Sequence, residues 1–197
     1  MCDFQFYLSL VKDFAVILAS LTAAIVAILG LNRWKKELKG KIYFDFSRQF
    51  LKSLYTIRDV LHDIRSAFIR SNEFKPDYNP RPGKKTDSLE ERENQYYIFK
   101  NRLNKLSDPI IAFNSQMAEA EALFGPKFRE DCQQIVSIVH HYQHAVDEHL
   151  QRLNTDDDHY RKNIYPVVFR TSEDAIDIKI REAISNIEES LLPFLKR

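Results

Sequence analysis

Three histidines on one predicted helix are the first residues whose types and spacing could support chemistry. In the run "HHYQHAVDEH", His140 and His144 are four residues apart, and Glu148 follows after four more. Side chains at this spacing share one helix face, and two imidazoles with a carboxylate can bind a transition metal. The H-E-x-x-H arrangement, which adds a general base beside the metal, is missing. Histidines on a helix flank are more often solvated or packed against a neighbour, so we predict neither a metal site nor a cofactor.

An arginine and a histidine follow at the end of the same helix. In "QRLNTDDDHY", Arg152 closes the helix and His159 comes after six intervening residues, across an acidic turn. This spacing is similar to the motif of HEPN ribonuclease-type domains, which are small helical bundles. In that chemistry a general base acts beside the attacking 2′-hydroxyl of RNA, and a cation stabilises the phosphate. Arg152 and His159 are therefore HEPN-like candidates.

Several features of this motif count against a working nuclease. Leu153 follows the arginine, where the HEPN motif usually has a polar residue. Two such motifs usually meet across a dimer, so one copy is insufficient. Three aspartates in the turn would repel RNA phosphates, and they are Asp156, Asp157 and Asp158. The alternative is that Arg152 simply ends a helix whose dipole favours a cation there. We assign no catalytic residue on this basis.

The remaining sequence offers little other chemistry. Arg58 and His62, one helical turn apart, are interpreted as surface residues. No serine, cysteine or carboxylate constellation typical of a hydrolase is present, and the four glycines form no Walker or Rossmann pattern. Cys2 and Cys132 form no C-x-x-C pair, so neither a disulfide framework nor a zinc knuckle is indicated. The formal net charge of +1 argues against a general binder of polyanions.

The elements that position these residues are predicted to be helices. Apolar residues recur at alternating spacings of three and four, which is typical of amphipathic helices. The first such stretch ends with Phe68, Pro109 should break or kink the second, and Gly125 should end it. The stretches cover residues 42–68, 88–125, 126–153 and about 176–191. No convincing strand alternation appears, so the sequence predicts an all-α fold with four or five helices in a bundle.

An uncharged run of 18 residues, 14–31, precedes the bundle, and only Ser20 and Thr22 interrupt its apolar character. As a helix it spans about 27 Å at roughly 1.5 Å per residue, close to a hydrocarbon core of about 30 Å. A buried core helix would show a polar face. A signal peptide would carry its basic residues before the apolar run rather than after it. The run therefore predicts a transmembrane helix.

Basic residues are concentrated directly after this run. They are Arg33, Lys35, Lys36, Lys39 and Lys41. Because cytoplasmic flanks are enriched in lysine and arginine, we predict a single-pass protein with its N-terminus outside and its C-terminal part in the cytoplasm. The predicted parts are residues 1–32, with the transmembrane helix, and residues 33–197, the cytoplasmic helical bundle. A proline-rich segment at about 72–87 is predicted to be a mobile loop.

Small residues recur along one ridge of the predicted transmembrane helix. They are Ala15, Ala19, Ala23 and Ala27. Small side chains every four residues let helices approach closely in lipid, so the ridge favours self-association. The alternative is that alanine is simply common in membrane helices.

Taken together, these features resemble the small membrane accessory proteins encoded beside the RNA-guided RNA nuclease of type VI-B CRISPR systems. The resemblance rests on a length near 200 residues, one N-terminal membrane helix, an all-helical cytoplasmic part and the divergent HEPN-like motif from Arg152 to His159. It implies a role in antiviral defence at the bacterial inner membrane, with the RNA-guided nuclease as functional partner. It also implies an oligomeric pore that perturbs the membrane and strengthens RNA-targeting interference.

Since one helix encloses no aqueous path, a pore requires a ring of several copies in the lipid bilayer, and the alanine ridge would supply its packing surface. On this hypothesis we interpret Arg152 and His159 as holding subunits or the bundle together rather than cleaving RNA. Two alternatives stay open, a membrane-anchored HEPN-type ribonuclease and an anchored adaptor without activity of its own. Direct binding of RNA is also left open.

Overall fold

The computed structural model of the chain describes residues 2–78, 88–152, 158–171 and 174–196. Five α-helices follow one another in these ranges: α1 (Cys2–Ile64), α2 (Ser88–Phe124), α3 (Pro126–Gln151), α4 (Tyr165–Val168) and α5 (Ala175–Leu195). A 3₁₀ turn covers Ser71–Glu73, and a π-helical segment, Tyr160–Ile164, leads directly into α4. No strand occurs among the described residues, so the predicted all-α fold is confirmed.

The chain divides into two compact units, Met1–Phe46 and Ser47–Arg197, and the division falls within α1. In the first unit the side chains from Phe14 to Lys39 are all exposed. Within the described residues α1 is the one helix long and apolar enough to span a membrane, and none of the residues in its apolar window is buried. A candidate membrane helix therefore lies where the sequence predicts one.

The two polar side chains of this apolar run are satisfied by their own helix. The Ser20 hydroxyl donates to the carbonyl oxygen of Val16 at 2.8 Å, and the Thr22 hydroxyl donates to that of Leu18 at 2.6 Å. Because the bilayer core offers no water as a hydrogen-bond partner, side chains that are satisfied within the helix suit it to a lipid environment.

The second unit is the helical bundle. The α1 segment after Phe46 packs on α2 and α3 through Phe50, whose ring centroid lies 5.1 Å from that of Phe113 and 5.4 Å from that of Phe128. Helix α3 packs against both α2 and α5. Isoleucines of α5 complete the core, and these are Ile176, Ile180, Ile184 and Ile187. The buried positions follow the apolar spacing that predicted the helices.

The helix boundaries agree with the sequence at one junction and differ at two points. Gly125 separates α2 from α3 with a φ of 89°, a left-handed conformation that glycine adopts without steric cost. We predicted a break or a kink at Pro109. Helix α2 continues through this residue, so of the two outcomes the break is wrong. Helix α1 ends at Ile64, and Phe68 is 73% exposed rather than on the helix's apolar face. The side chain of Arg102 binds the carbonyl group of Ile64, the last residue of the helix.

Candidate functional site

The two HEPN-like candidates meet on one carboxylate. Glu148 lies in the last turn of α3, Arg152 is the C-cap residue of that helix, and His159 lies directly before the π-helical segment. The Oε1 atom of Glu148 is 3.1 Å from Nε of Arg152 and 3.5 Å from Nε2 of His159. The structure therefore brings together Arg152 and His159, with Glu148 between them. We call these three residues the Glu148 cluster.

The second nitrogen of His159 also has a partner. The Asn163 side-chain amide nitrogen lies 3.1 Å from Nδ1 of His159. Both ring nitrogens of His159 therefore face a side chain, Nδ1 facing Asn163 and Nε2 facing Glu148. A general base needs an unprotonated nitrogen directed at its substrate. In this arrangement neither nitrogen of His159 is available for that role.

A buried histidine lies beside the Glu148 cluster. His149 is only 6% exposed, and its Nδ1 atom is 2.8 Å from the hydroxyl of Tyr160. Its ring makes edge contacts with Phe99 and Phe169, with ring centroids 4.9 and 5.3 Å apart. Burial disfavours the charged imidazolium, and it lowers the pKa of His149 to about 4. At neutral pH His149 is therefore an uncharged side chain.

Together, these contacts attach the segment after the acidic turn to the end of α3. Glu148 binds His159 and His149 binds Tyr160, so consecutive residues of α3 hold consecutive residues of the next segment. The cationic charge of Arg152 is directed at Glu148, which competes with any phosphate for it. This geometry joins two parts of the bundle and is poorly arranged for phosphodiester cleavage. Leu153, Asp156 and Asp157 lie outside the described residues.

The deepest polar cluster of the bundle surrounds Arg65, directly after α1. Its guanidinium is fully buried, and its Nη2 atom lies 2.9 Å from both carboxylate oxygens of Asp174, while Nη1 donates to Asp177 at 3.0 Å. Nε and Nη2 also donate to the carbonyl oxygens of Val167 and Pro166. We call these residues the Arg65 cluster. It joins the end of α1 to α4 and to the start of α5.

The carboxylate of Asp174 has a second role as the N-cap of α5. It accepts hydrogen bonds from the backbone N–H groups of Ile176 and Asp177. Burial alone would raise its pKa, but the hydrogen bond from Arg65 and the backbone donors outweigh burial, and the pKa lies below its ordinary value. Asp174 is therefore ionised at neutral pH and neutralises the buried arginine.

Arg102 of α2 forms a similar buried cluster on the other side of the α1 terminus. It pairs with Glu73 of the 3₁₀ turn, with Nη2 and Oε2 2.6 Å apart. Its Nη1 and Nη2 atoms donate to the carbonyl oxygens of Ile64, Ser66 and Phe68. The last carbonyl groups of a helix lack partners within the helix. Arg102 supplies a partner to the carbonyl group of Ile64, the last residue of α1, and it also binds the carbonyl groups of Ser66 and Phe68 just beyond the helix.

Sequence reasoning missed Arg65, Arg102 and His149, although each carries a signal in the apolar spacing. His149 follows Val139, Tyr142 and Val146 at spacings of three, four and three, on the inner face of α3. Arg102 and Arg65 likewise fall three and four residues after Phe99 and Leu61, both of which are buried. A charged or titratable residue in register with core positions is the signal that predicts buried polar clusters.

The three residues that were considered as metal ligands and set aside, His140, His144 and Glu148, form no metal site. His140 and His144 are exposed, and the Nδ1 atom of His140 lies 3.1 Å from Oε1 of Gln143. The third residue, Glu148, contacts Arg152 and His159 instead. Among the described residues no group of three histidine, cysteine or acidic side chains could hold a metal ion.

The second arginine–histidine pair lies on the surface, as predicted. Arg58 binds Asp59 at 2.9 Å and covers the ring of Tyr55, and His62 is exposed.

The residues that we predicted for helix packing and for the membrane-proximal charge lie in the first unit. The four ridge alanines are exposed on α1, and so are the basic residues that follow. Of the latter, Arg33 pairs with Glu37 at 3.1 Å, and Nζ of Lys39 lies 5.7 Å from the ring centroid of Tyr43. One face of α1 thus presents small side chains and the next two turns present cations.

The first half of the predicted mobile segment 72–87 is bound to α2. The backbone N–H of Lys75 donates to the Asn94 side chain at 2.9 Å, and its Nζ atom pairs with Glu93 at 2.8 Å. The Tyr78 hydroxyl donates to Glu91. Residues 79–87 lie outside the described residues.

Two of the open clefts formed by the described residues of the bundle are lined by neither Arg152 nor His159. One, of about 540 Å³, includes Tyr96, Tyr97 and Lys100 of α2, and the other, of about 670 Å³, lies between α3 and α5. Comparison with models of protein families, with curated proteins and with solved structures finds no match to the chain. The function therefore has to be argued from the residues themselves and from the resemblance in architecture.

Proposed function

We propose that the chain is a single-pass protein of the bacterial inner membrane, with its N-terminus outside and the helical bundle in the cytoplasm. We propose further that several copies form a pore that depolarises the membrane and strengthens antiviral defence by an RNA-guided RNA nuclease. The observation that carries this proposal is the first unit, where the helix contains an apolar run and exposes all its side chains from Phe14 to Lys39. In water such a surface would aggregate, and in lipid it is covered.

The charges beside the apolar run support the orientation. Residues 33–41 include five basic residues but only one acidic residue, Glu37, which is paired with Arg33. Such an excess favours the cytoplasmic side of the membrane, where anionic head groups attract it.

The alanine ridge supports self-association. One transmembrane helix has no lumen, so conduction requires several copies with their helices side by side. Ala15, Ala19, Ala23 and Ala27 carry small side chains, and their methyl groups allow close helix contact over about 18 Å at roughly 1.5 Å per residue. The link to the RNA-guided nuclease rests on the resemblance in architecture.

The first test is the mass of the full-length protein in mild detergent, measured by light scattering and corrected for bound detergent. A discrete ring of many subunits is expected. Ala19→Leu should shift it to smaller species because a larger side chain on the ridge separates the helices. Ala24→Leu makes the same change outside the ridge, about 100° round the helix from Ala23, and it should shift the mass less. A wild-type monomer or dimer would exclude a pore, because too few helices would surround a channel.

The second test measures membrane potential in cells that express the protein with its nuclease and a target RNA, using a potential-sensitive dye. Depolarisation should require the target and should be lost in Ala19→Leu but retained in Ala24→Leu. An unchanged potential in cells with the wild-type protein would refute the pore.

A membrane-anchored ribonuclease is the second candidate, because Arg152 and His159 do meet, on Glu148. Binding of RNA would have to displace Glu148 from Arg152 to free the cation for phosphate. This candidate predicts that the full-length protein in detergent cuts single-stranded RNA. It further predicts that Glu148→Gln speeds cutting and that Arg152→Ala abolishes it. If the well-folded wild-type protein leaves the RNA intact, this candidate is excluded.

A further inference from the structure

An apolar stripe continues along α1 after the candidate membrane run. It consists of Leu31, Trp34, Leu38 and Ile42, which are 48%, 60%, 44% and 46% exposed. The spacings of three, four and four place them on one face of the helix. Leu31 is also the next position of the alanine ridge, four residues after Ala27. The stripe therefore extends the proposed packing surface beyond the apolar run.

The position of the stripe decides what can cover it. If the hydrocarbon core ends near Leu31, Leu38 and Ile42 lie about 10 and 16 Å further along the helix axis. The head-group layer adds only about 5–8 Å on each side of the core. Since α1 is helical without interruption, this segment cannot turn to lie flat on the membrane surface. Lipid therefore covers Trp34 but reaches neither Leu38 nor Ile42.

We propose that a second copy of this chain covers the stripe, so that the contact between subunits continues from the membrane into the cytoplasm. Single-pass copies in one membrane share their orientation, and each residue lies at the same depth in every copy. The stripe of one copy therefore meets the stripe of the next in register. This inference rests on the proposed membrane insertion and self-association.

Charge opposes this contact but does not dominate it. Lysines flank the stripe, and in two parallel copies they face like charges. Exposed charges at physiological salt are strongly screened, however. Burial of the leucine and isoleucine side chains outweighs the repulsion of such screened pairs.

Cysteine cross-linking in native membranes tests the proposal. In a Cys2→Ser background, Leu38→Cys is treated with a short bismaleimide cross-linker and compared with Lys36→Cys, which lies about 200° round the helix and about 3 Å along it. Leu38→Cys should give at least fivefold more cross-linked dimer, and Cys132 should not react because it is buried. Equal yields at the two positions, or no product at Leu38→Cys, would overturn the proposal.

The mass in detergent separates this inference from the proposed function. A ring that persists while Leu38→Cys fails to cross-link refutes the stripe alone, and a monomer refutes self-association altogether. As a second measurement, Leu38→Gln with Ile42→Gln should shift at least half of the assembled protein to smaller species. The chain itself should fold as before, because both side chains are exposed in the single copy. An unchanged mass would count against the stripe.

Discussion

The Arg65 and Glu148 clusters each join an arginine near the end of a helix to a carboxylate, yet they differ in burial. The Arg65 side chain is fully buried, whereas the side chains of Arg152 and Glu148 are both 38% exposed. Arg65 binds two carboxylates and two carbonyl groups from other parts of the chain. The difference shows that resemblance to a catalytic motif does not indicate how much an arginine contributes to the fold. Arg152 has the motif-like spacing, and the fold depends on it less than on Arg65.

The comparison is tested most severely by Arg65→Ala. This substitution leaves Asp174 buried without its cation and two carbonyl groups without a donor, so we expect a loss of about 3–5 kcal/mol in the free energy of unfolding. The measurement is urea unfolding of the full chain in mild detergent, followed by far-UV circular dichroism. Lys162→Ala, which removes an exposed cation 3.8 Å from Asp158, is the control and should change the free energy by less than about 0.5 kcal/mol. Similar losses in both variants would show that burial does not set the difference.

The pH dependence of His149 extends the comparison to the neighbour of the Glu148 cluster. The pKa of His149 is about 4 in the folded state and about 6.5 in the unfolded state. As the pH falls from 6.5 towards 4, the unfolded chain binds a proton that the folded chain does not, so stability is lost over this window. Between pH 7.5 and pH 5 the loss amounts to about 2 kcal/mol.

His149→Gln should remove this part of the pH dependence, while His140→Gln, at an exposed position, should retain it. The measurement is the difference in unfolding free energy between pH 7.5 and pH 5 for each variant. A wild-type protein that loses no more stability than His149→Gln would mean that burial does not hold this imidazole neutral.

The helices could be predicted from the sequence because their information is local. Apolar residues at spacings of three and four depend only on neighbours within a turn or two, and Phe50, Leu54, Ile57 and Leu61 are buried as that spacing requires. The partners of Arg65 are different in kind. They include the carbonyl oxygen of Val167, 102 residues away. Every residue has a backbone carbonyl group, so the residue type does not indicate such a partner. Spacing can therefore place Arg65 on the buried face of its helix, but it cannot identify a partner that is the backbone of a distant segment.

Local spacing was also insufficient to predict the contacts of the Glu148 cluster. Its members were each noticed in the sequence, where Glu148 was considered with His140 and His144 as a metal site that we did not predict, and Arg152 was paired with His159 in the HEPN-like motif. Helical spacing alone cannot choose the partner of Glu148, because His144 and Arg152 are each four residues away from it. Chain geometry beyond the helix decides between them. The segment after the acidic turn returns to α3 and places His159 within 3.5 Å of Glu148.

A smaller effect is expected for Tyr160→Phe. The substitution keeps the aromatic ring, which stacks on His149, and removes the hydroxyl that binds Nδ1. A buried acceptor without its donor costs about 1 kcal/mol, measured by the same unfolding experiment at pH 7.5. Tyr165→Phe, whose side chain is 41% exposed, is the matched control and should be nearly neutral. Equal losses in the two variants would remove the evidence that the bond to His149 stabilises the fold.

The smallest change in stability is expected for Arg152→Ala, and it sharpens the comparison most. Partly exposed ion pairs contribute at most about 1 kcal/mol, so Arg152→Ala should unfold at nearly the wild-type urea concentration, and His159→Gln should behave alike. Because these variants keep the fold, their effect on membrane potential isolates the role of the cluster. Lost depolarisation with unchanged mass in detergent would assign Arg152 to the working of the pore. A smaller assembly in detergent would assign Arg152 to the contact between subunits. A loss of stability close to that of Arg65→Ala would contradict the distinction between the clusters.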